Sequence, residues 1–187
     1  RNLELDAEER AEVRLWQLLT DKPVLYVCNV NEADATVGTN AWVEQIKPMA
    51  AAEGSEVVVV CAAIEEQITQ LEDPQEKADY LELMGLAEPG LHRLIRAAYS
   101  LLGLQTYFTA GVKEVRAWTI PAGSRAPQAA GVIHSDFEKG FIRAAVIKYA
   151  DFIQLGSEVA CKEAGKMAMQ GKDYLVEDGD IMHFHFN

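Results

Sequence analysis

Two short segments follow apolar, β-rich runs, and their positions predict one shared ligand site. Residues 29–32 come directly after the run 24–28. Residues 61–63 begin with the last residue of the run 57–61 and continue just beyond it. Unbroken apolar runs of this length are typical of parallel strands buried on both faces. Ligands of such sheets lie beyond the carboxyl ends of the strands. A polar turn between a strand and a helix is the alternative interpretation of residues 29–32. The candidate ligand-binding residues are Asn29, Val30, Glu32, Cys61, Ala62 and Ala63.

A metal site is a second hypothesis, at the end of the sequence. His183 and His185 alternate with apolar residues, so in a strand both imidazoles face the same side. Asp178 and Asp180 are close by in sequence. Two histidines on the solvent face of a terminal strand are the simpler interpretation, and we assign no metal ligand.

The motifs that bind phosphate in nucleotide-hydrolysing enzymes are absent from the sequence. It contains no G-x-x-x-x-G-K-[ST], and no Asp-x-x-Gly followed by a switch helix. His134 and Ser135 are sequence neighbours, a spacing that rarely aligns a base with a nucleophile. We therefore assign no catalytic residue, and nothing in the chain is predicted to hold phosphates and Mg²⁺.

The first half of the chain is predicted to alternate strands and helices. An amphipathic helix over 3–20, with Asp6 as N-cap, precedes the strand 24–28. A helix over 40–53, the strand 57–61 and further helices up to 103 follow. This order predicts an α/β, doubly wound sheet.

The second half is predicted to be α+β, with a small mixed sheet around one helix. Strand-like runs cover 115–120, 145–149, 174–176 and 181–186. After a turn, Ser135 or Asp136 is the expected N-cap of a short helix, in which Phe137 and Phe141 would be paired at i and i+4.

Composition favours a folded cytoplasmic protein with reduced cysteines. No apolar run approaches the roughly 20 residues of a membrane span, and no apolar core of a signal peptide is found at the start. The three cysteines are far apart, which is not typical of a disulfide framework or zinc knuckle. The net charge is −12, yet residues 104–187 contain nine basic and ten acidic side chains. A local basic face for RNA and scattered solvated charge are both compatible with that balance.

Five motifs follow one another along the chain: FTAG (108–111), EVRAWTI (114–120), APQAAG (126–131), DFEKGFI (136–142) and VEDGD (176–180). Together they resemble, in register, the C-terminal part of the YchF/Obg-like ATPases, including their TGS domain. The resemblance implies that residues 1–21 are the end of a helical insertion and that residues 22–103 are the second half of a P-loop NTPase-type nucleotide-binding domain. It implies a β-grasp TGS domain over 104–187.

The resemblance also implies ATP as the ligand of the first site. Residues 29–32 are similar to the base-binding Asn-Lys-x-Asp motif of P-loop GTPases, with Val30 replacing lysine and Glu32 replacing aspartate. In the YchF family the Asn-x-x-Glu form accompanies a preference for ATP. Asn29 would bind the adenine edge, Val30 would pack near the ring, and residues 61–63 would supply backbone contacts. Mg²⁺ would be held by residues upstream of this chain, which is not expected to hydrolyse ATP alone.

TGS domains occur in RNA- and ribosome-associated proteins, so the resemblance implies the ribosome and its RNA as partners. Arg116, Lys139 and Arg143 are the candidate contacts. No membrane or DNA partner is expected. Whether the chain belongs to an enzyme stays open, because a non-enzymatic RNA- or protein-binding adaptor with a TGS module is the alternative, and an unrelated metal-dependent enzyme is a third hypothesis.

Overall fold

The computed structural model describes residues 3–111 and 114–187, and the chain divides into two compact units. The N-terminal unit is Arg1–Leu102 and the C-terminal unit is Gly103–Asn187. Both combine a sheet with helices, which confirms the predicted mixed α/β architecture. Within the described ranges, no helix has the length and apolar character needed to cross a bilayer.

The N-terminal unit contains two parallel strands and six α-helices in the part that the structure describes. A 3₁₀ turn over Leu19–Asp21 follows the first helix. The strands are β1 (Leu25–Asn29) and β2 (Glu56–Val60), and the helices are α1 (Ala7–Leu15), α2 (Glu32–Val37), α3 (Ala41–Ala52), α4 (Ala62–Gln70), α5 (Pro74–Leu83) and α6 (Gly90–Leu101).

Strands β1 and β2 pair in parallel, with Asn29 beside Val60 at their carboxyl ends. The prediction that both strands are buried on both faces is wrong. Val58 and Val59 of β2 are buried, but Val27 of β1 is 46% exposed. The reason is that only these two strands form the sheet of the described N-terminal residues, so each keeps an unpaired edge and incomplete cover.

The first helix is shorter than the predicted 3–20. Asp6 caps α1 by accepting from the backbone N–H groups of Glu8 and Glu9, and the Glu9 side chain accepts from Asp6 N, as the capping-box pattern predicts. The helix ends at Leu15 because Gln17 has a φ of 50°, which is incompatible with a right-handed helix. The apolar spacing continues beyond this break, so periodicity alone overestimates the length.

The C-terminal unit contains a five-stranded mixed sheet with the strand order β4-β3-β7-β5-β6. Strands β3 and β7 pair in parallel, and the other neighbouring pairs are antiparallel. The strands are β3 (Leu104–Ala110), β4 (Val115–Pro121), β5 (Phe141–Ile147), β6 (Met167–Gln170) and β7 (Ile181–Phe186), and the helices are α7 (Ala126–Ile133), α8 (Ser135–Lys139), α9 (Tyr149–Leu155) and α10 (Glu158–Glu163).

Helix α7 packs on one face of this sheet and forms the core with it. Ala129 and Ala130 have no exposed surface, and small side chains allow the helix to approach Tyr107 and Met182 closely. Tyr107 OH donates to the carbonyl of Ala129 at 2.8 Å. Burial raises the pKa of Tyr107, so the phenol stays a neutral donor within the core.

Three local predictions for the segment from α7 to the start of β5 are wrong. Residues 126–133 form a helix instead of a turn, because Pro127 suits the first helical turn and the Gln128 side chain accepts from Arg125 N. The N-cap of α8 is His134, whose Nδ1 accepts from Asp136 N at 3.2 Å. Phe141 begins β5, so its burial comes from the sheet and not from a helical pair.

Candidate functional site

The two predicted segments lie side by side at the carboxyl ends of β1 and β2. Pairing continues one residue beyond β1, since Val30 N donates to Val60 O at 2.9 Å. Residue 61 then leads into α4, where Glu65 N donates to Cys61 O. The ladder therefore fixes the start of α4 next to Asn29.

Asn29 joins the two segments directly. Cys61 occupies the N-cap position of α4 but makes no side-chain capping bond. Instead, Asn29 Oδ1 accepts from the backbone N–H of Ala62 at 3.0 Å. This satisfies one of the free first-turn amides of α4 from a neighbouring strand. Because Oδ1 is occupied, Nδ2 is left as a donor, and no partner for it is found in residues 3–111 and 114–187.

A pocket of about 460 Å³ lies at these strand ends. Asn29, Glu32 and Ala63 are exposed, Val30 is partly buried, and Cys61 is buried. Ala62 gives its N–H to Asn29 and does not line the pocket. The lining residues are Asn29, Val30, Asn31, Glu32, Ala33, Cys61 and Ala63.

The apolar side of the pocket rests on a small core. Cys61 is packed with Ala35, Ile64 and Ile68, and Val30 lies against this cluster. Tyr80 lies against it too, and burial together with the nearby Glu32 carboxylate raises the pKa of Tyr80. Glu32 itself is exposed, in the first turn of α2.

The chemistry of this pocket suits a flat, uncharged heterocycle with a polar edge. An amide donor and a carboxylate acceptor face it, and aliphatic side chains supply contact area. No basic side chain is found among the described lining residues, so the pocket offers no cation for a phosphate. Sequence analysis did not include Asn31 and Ala33. Asn31 accepts from Asp34 N as the N-cap of α2, and the Asn-x-x-Asp spacing was the available signal.

The predicted histidine pair exists, but its neighbouring acids are used elsewhere. The His183 and His185 rings lie 5.2 Å apart on one side of β7, as alternation predicts. Asp178 Oδ1 accepts from Thr106 N at 2.8 Å, and Asp180 is fully buried. Across residues 3–111 and 114–187, no group of three or more His, Cys, Asp or Glu side chains is arranged to hold a metal ion.

Asp180 is the centre of a polar cluster that sequence analysis did not identify. Its carboxylate accepts from Lys148 Nζ at 2.7 Å, from Tyr174 OH at 2.6 Å and from Glu177 N at 2.9 Å. Lys148 Nζ also lies 3.0 Å from Glu177 Oε2. Burial alone would lower the pKa of Lys148, but the bonds to Asp180, Tyr174 and Glu177 outweigh it and raise that pKa. Burial and the bond to Asp180 raise the pKa of Tyr174 to about 12.

The basic residues predicted to contact RNA lie on different strands. Arg116 is on β4, and its guanidinium carbon lies 4.1 Å from the centre of the Trp118 ring. Arg143 is on β5, opposite His185 of β7. Strands β3 and β7 separate β4 from β5.

These two arginines also occupy opposite faces of the sheet. Trp118 packs against the core, and Arg116 shares its face because the two are two residues apart. Ala144 belongs to the same core, so its neighbour Arg143 faces the other way. Lys139 is exposed at the end of α8. The structure therefore does not bring Arg116 and Arg143 together.

Comparison with solved structures identifies the fold. The GTP binding protein from Pyrococcus horikoshii OT3 matches 89% of this chain and 46% of its own length, with a TM-score of 0.58 at 18% identity, a likeness of fold alone. The Schizosaccharomyces pombe YchF GTPase matches 99% of this chain and 49% of its own, with a TM-score of 0.81 at 36% identity.

Sequence comparison then identifies the family. The family model YchF-GTPase_C, described as "Protein of unknown function (DUF933)", matches residues 104–187. The ribosome-binding ATPase YchF of Escherichia coli O157:H7 is 57% identical over 187 residues, and that of Bacillus subtilis (strain 168) is 52% identical over 188. Each alignment covers all of this chain and 51% of the relative, so the chain spans about half the length of these curated relatives. The chain belongs to the YchF family and corresponds to the C-terminal half of an Obg-like YchF protein.

Proposed function

We propose that this chain forms the base-binding half of an ATP site in an ATPase that associates with the ribosome. The observation that supports this most strongly is the bond between Asn29 Oδ1 and Ala62 N, which joins the two strand ends beside one pocket. The names of the relatives from Escherichia coli and Bacillus subtilis, ribosome-binding ATPase, agree with the proposal.

In the proposed complex, adenine lies in the pocket at the ends of β1 and β2. Asn29 Nδ2 donates to an acceptor nitrogen of the ring, because its partner atom Oδ1 is held by Ala62. Val30 packs against the ring, and Glu32 accepts from the exocyclic amine. Residues 61–63 contribute backbone and Cys61 side-chain contacts at the other wall. Phosphates and Mg²⁺ are bound by residues outside this chain, which does not hydrolyse ATP alone.

The domain assignment follows the same proposal. Residues 1–21 are the end of a helical insertion, and residues 22–103 are the second half of a P-loop NTPase-type domain. Residues 104–187 are a β-grasp TGS domain, which the packing of α7 on one face of a mixed sheet supports. Through this domain the protein associates with ribosomal RNA in the cytoplasm, with Arg116, Lys139 and Arg143 as the candidate contacts.

Calorimetric titration of the full-length protein with ATP and with GTP tests the base-binding proposal. We expect ATP to bind at least tenfold more tightly, because guanine presents two donors where adenine presents one amine, and Glu32 replaces the aspartate that pairs with both. Equal affinities, or tighter binding of GTP, would remove the base-binding claim. A full-length protein that binds neither nucleotide would instead favour the adaptor hypothesis.

A further inference from the structure

A second cavity lies in the C-terminal unit, on the core face of the sheet. Its volume is about 430 Å³, within the range of about 300–1,000 Å³ that small-ligand pockets occupy. Four of its lining side chains are tryptophan or phenylalanine: Trp118 of β4, Phe137 of α8, and Phe184 and Phe186 of β7. We call this cavity the aromatic slot. Its lining residues are more than forty positions along the chain from those of the strand-end pocket, and the two cavities share no residue.

Contacts within the protein orient two walls of the aromatic slot. Trp118 Nε1 donates to Thr109 Oγ1 at 2.9 Å, which sets the orientation of the indole. The Phe137 and Phe186 rings are stacked, with centres 3.8 Å apart and an angle of 22° between planes. Phe186 keeps 43% of its surface exposed, so the stack presents an accessible ring. A fixed, exposed aromatic surface can bind another flat ring with little loss of side-chain entropy.

Unpaired positive charge lies beside the slot. Arg116 is exposed, and its guanidinium carbon is 4.1 Å from the centre of the Trp118 ring. Among the ion pairs found in residues 3–111 and 114–187, none involves Arg116 or Lys139. Glu114, on the lining, adds an acceptor for base amines or ribose hydroxyls.

We propose that the aromatic slot binds one unstacked nucleotide of single-stranded RNA, with the base against the aromatic rings and its phosphate near Arg116. Aromatic rings combined with unpaired basic side chains are typical of proteins that bind single-stranded nucleic acid. An arginine stacked on an aromatic wall and free of a carboxylate partner is complementary to phosphate, which a peptide ligand does not provide. The proposal rests on the proposed ribosome association and assigns it a chemical contact.

Fluorescence anisotropy of the 187-residue chain with a labelled single-stranded RNA octamer tests this proposal. We expect Phe186→Leu and Trp118→Leu each to weaken binding about fivefold or more, since stacking is lost while apolar volume is largely kept. Arg116→Gln is expected to weaken binding and to reduce its salt dependence. The matched control is Tyr149→Leu, which removes an aromatic side chain that is 52% exposed and lies outside the slot, with its ring centre 5.9 Å from that of Phe108; it should bind as the wild type does. Circular dichroism verifies that each variant is folded.

Wild-type affinity in Phe186→Leu would overturn the proposed slot, as would equal competition by an RNA duplex, whose bases are not accessible. Absence of RNA binding by the wild-type chain overturns it as well. Cosedimentation of the same proteins with ribosomes separates this failure from failure of the proposed function. If the wild-type chain and all variants cosediment equally, the slot is wrong and ribosome association stands. If the wild-type chain does not cosediment, ribosome association is contradicted. The RNA titration alone then determines whether the slot binds a nucleotide.

Discussion

The two polar atoms of the Asn29 side chain differ in their contacts. Oδ1 caps α4 through Ala62 N, whereas Nδ2 is a donor with no partner found in residues 3–111 and 114–187, on a residue that lines the pocket. One residue therefore contributes to stability through one atom and, in our proposal, to base binding through the other. Substitutions that remove one atom at a time can separate these contributions.

Asn29→Asp keeps an oxygen that can accept from Ala62 N and removes the donor. A carboxylate is also favourable at a helix N-terminus. We expect the free energy of unfolding to stay within about 0.5 kcal/mol of wild type, while ATP affinity of the full-length protein falls about tenfold. Chemical denaturation and calorimetry measure the two effects.

Asn29→Ala removes both atoms and should cost about 1 kcal/mol of stability in addition to ATP affinity. The control is Asn40→Ala, since Asn40 caps α3 by accepting from Trp42 N and Val43 N and lies outside the pocket lining. It should lower stability similarly and leave ATP affinity unchanged. An Asn29→Asp protein that binds ATP like wild type would show that Nδ2 does not contact the base.

Because of Lys148, the stability of the C-terminal unit is expected to decrease at alkaline pH. Its pKa is raised above the ordinary value of 10.5, so its stabilising contribution is complete below about pH 10.5 and is lost as pH rises through the folded-state pKa. The pKa of Tyr174, raised to about 12, acts in the same direction between its ordinary value of 10.0 and pH 12.

Lys148→Met should destabilise the protein by about 2–3 kcal/mol at pH 7, because the fully buried Asp180 loses its cation while Lys148 itself is partly exposed. The difference from wild type should shrink above pH 10.5. Urea denaturation between pH 7 and pH 11.5 measures it, with exposed Lys172→Met as control. A difference that is constant over this range would contradict the assignment of Lys148.

At the scale of elements, two helices are capped by side chains from other elements. Asn29 of β1 caps α4, and Glu65 of α4 accepts from Gly90 N at the start of α6, at 2.7 Å. The separations along the chain are 33 and 25 residues. The order and approximate span of these helices could be predicted from local spacing, but such caps could not, because no local pattern specifies them.

Gly90 is required where α6 approaches β2. A Cβ at this position would lie 3.0 Å from Glu65 Oε1 and 3.3 Å from Val60 Cγ1. We expect Gly90→Ala to destabilise the protein by about 1–2 kcal/mol, although alanine ordinarily favours a helix over glycine. Gly171→Ala, which places its Cβ in open space, is the control and should change stability by less than about 0.5 kcal/mol in thermal unfolding. Equal stability of both variants would show that α6 can shift without cost.

Short helices account for most of the remaining differences between prediction and structure. Helix α2 has six residues and no extended apolar period, so only its Asn31 cap marks it in the sequence. Helix α7 is rich in alanine and glycine and was interpreted as a turn, because its burial depends on contact with the sheet, through residues such as Tyr107. Tertiary packing, which sequence spacing does not report, determines both.

At the scale of the whole molecule, the sequence was most informative about the strand-end pocket. The two segments proposed from the carboxyl ends of strands lie together, because parallel pairing leaves no other arrangement for consecutive strand ends. The basic residues were grouped because they are close in sequence. The structure separates Arg116 from Arg143, because their strands are not adjacent in the sheet. The alternation of side chains along each strand also places the two arginines on opposite faces. The Asp180 cluster could not be predicted from the sequence, because it depends on long-range contacts such as the one with Lys148, 32 residues away.

The central claim is that Asn29 and the start of α4 bind the adenine base of ATP. A crystal structure of the full-length protein with a non-hydrolysable ATP analogue tests it most directly. We predict that Asn29 Nδ2 lies within about 3.2 Å of an adenine ring nitrogen, that Oδ1 still accepts from Ala62 N, and that Val30 contacts the ring. An adenine bound away from residues 29–32 and 61–63 would contradict the account.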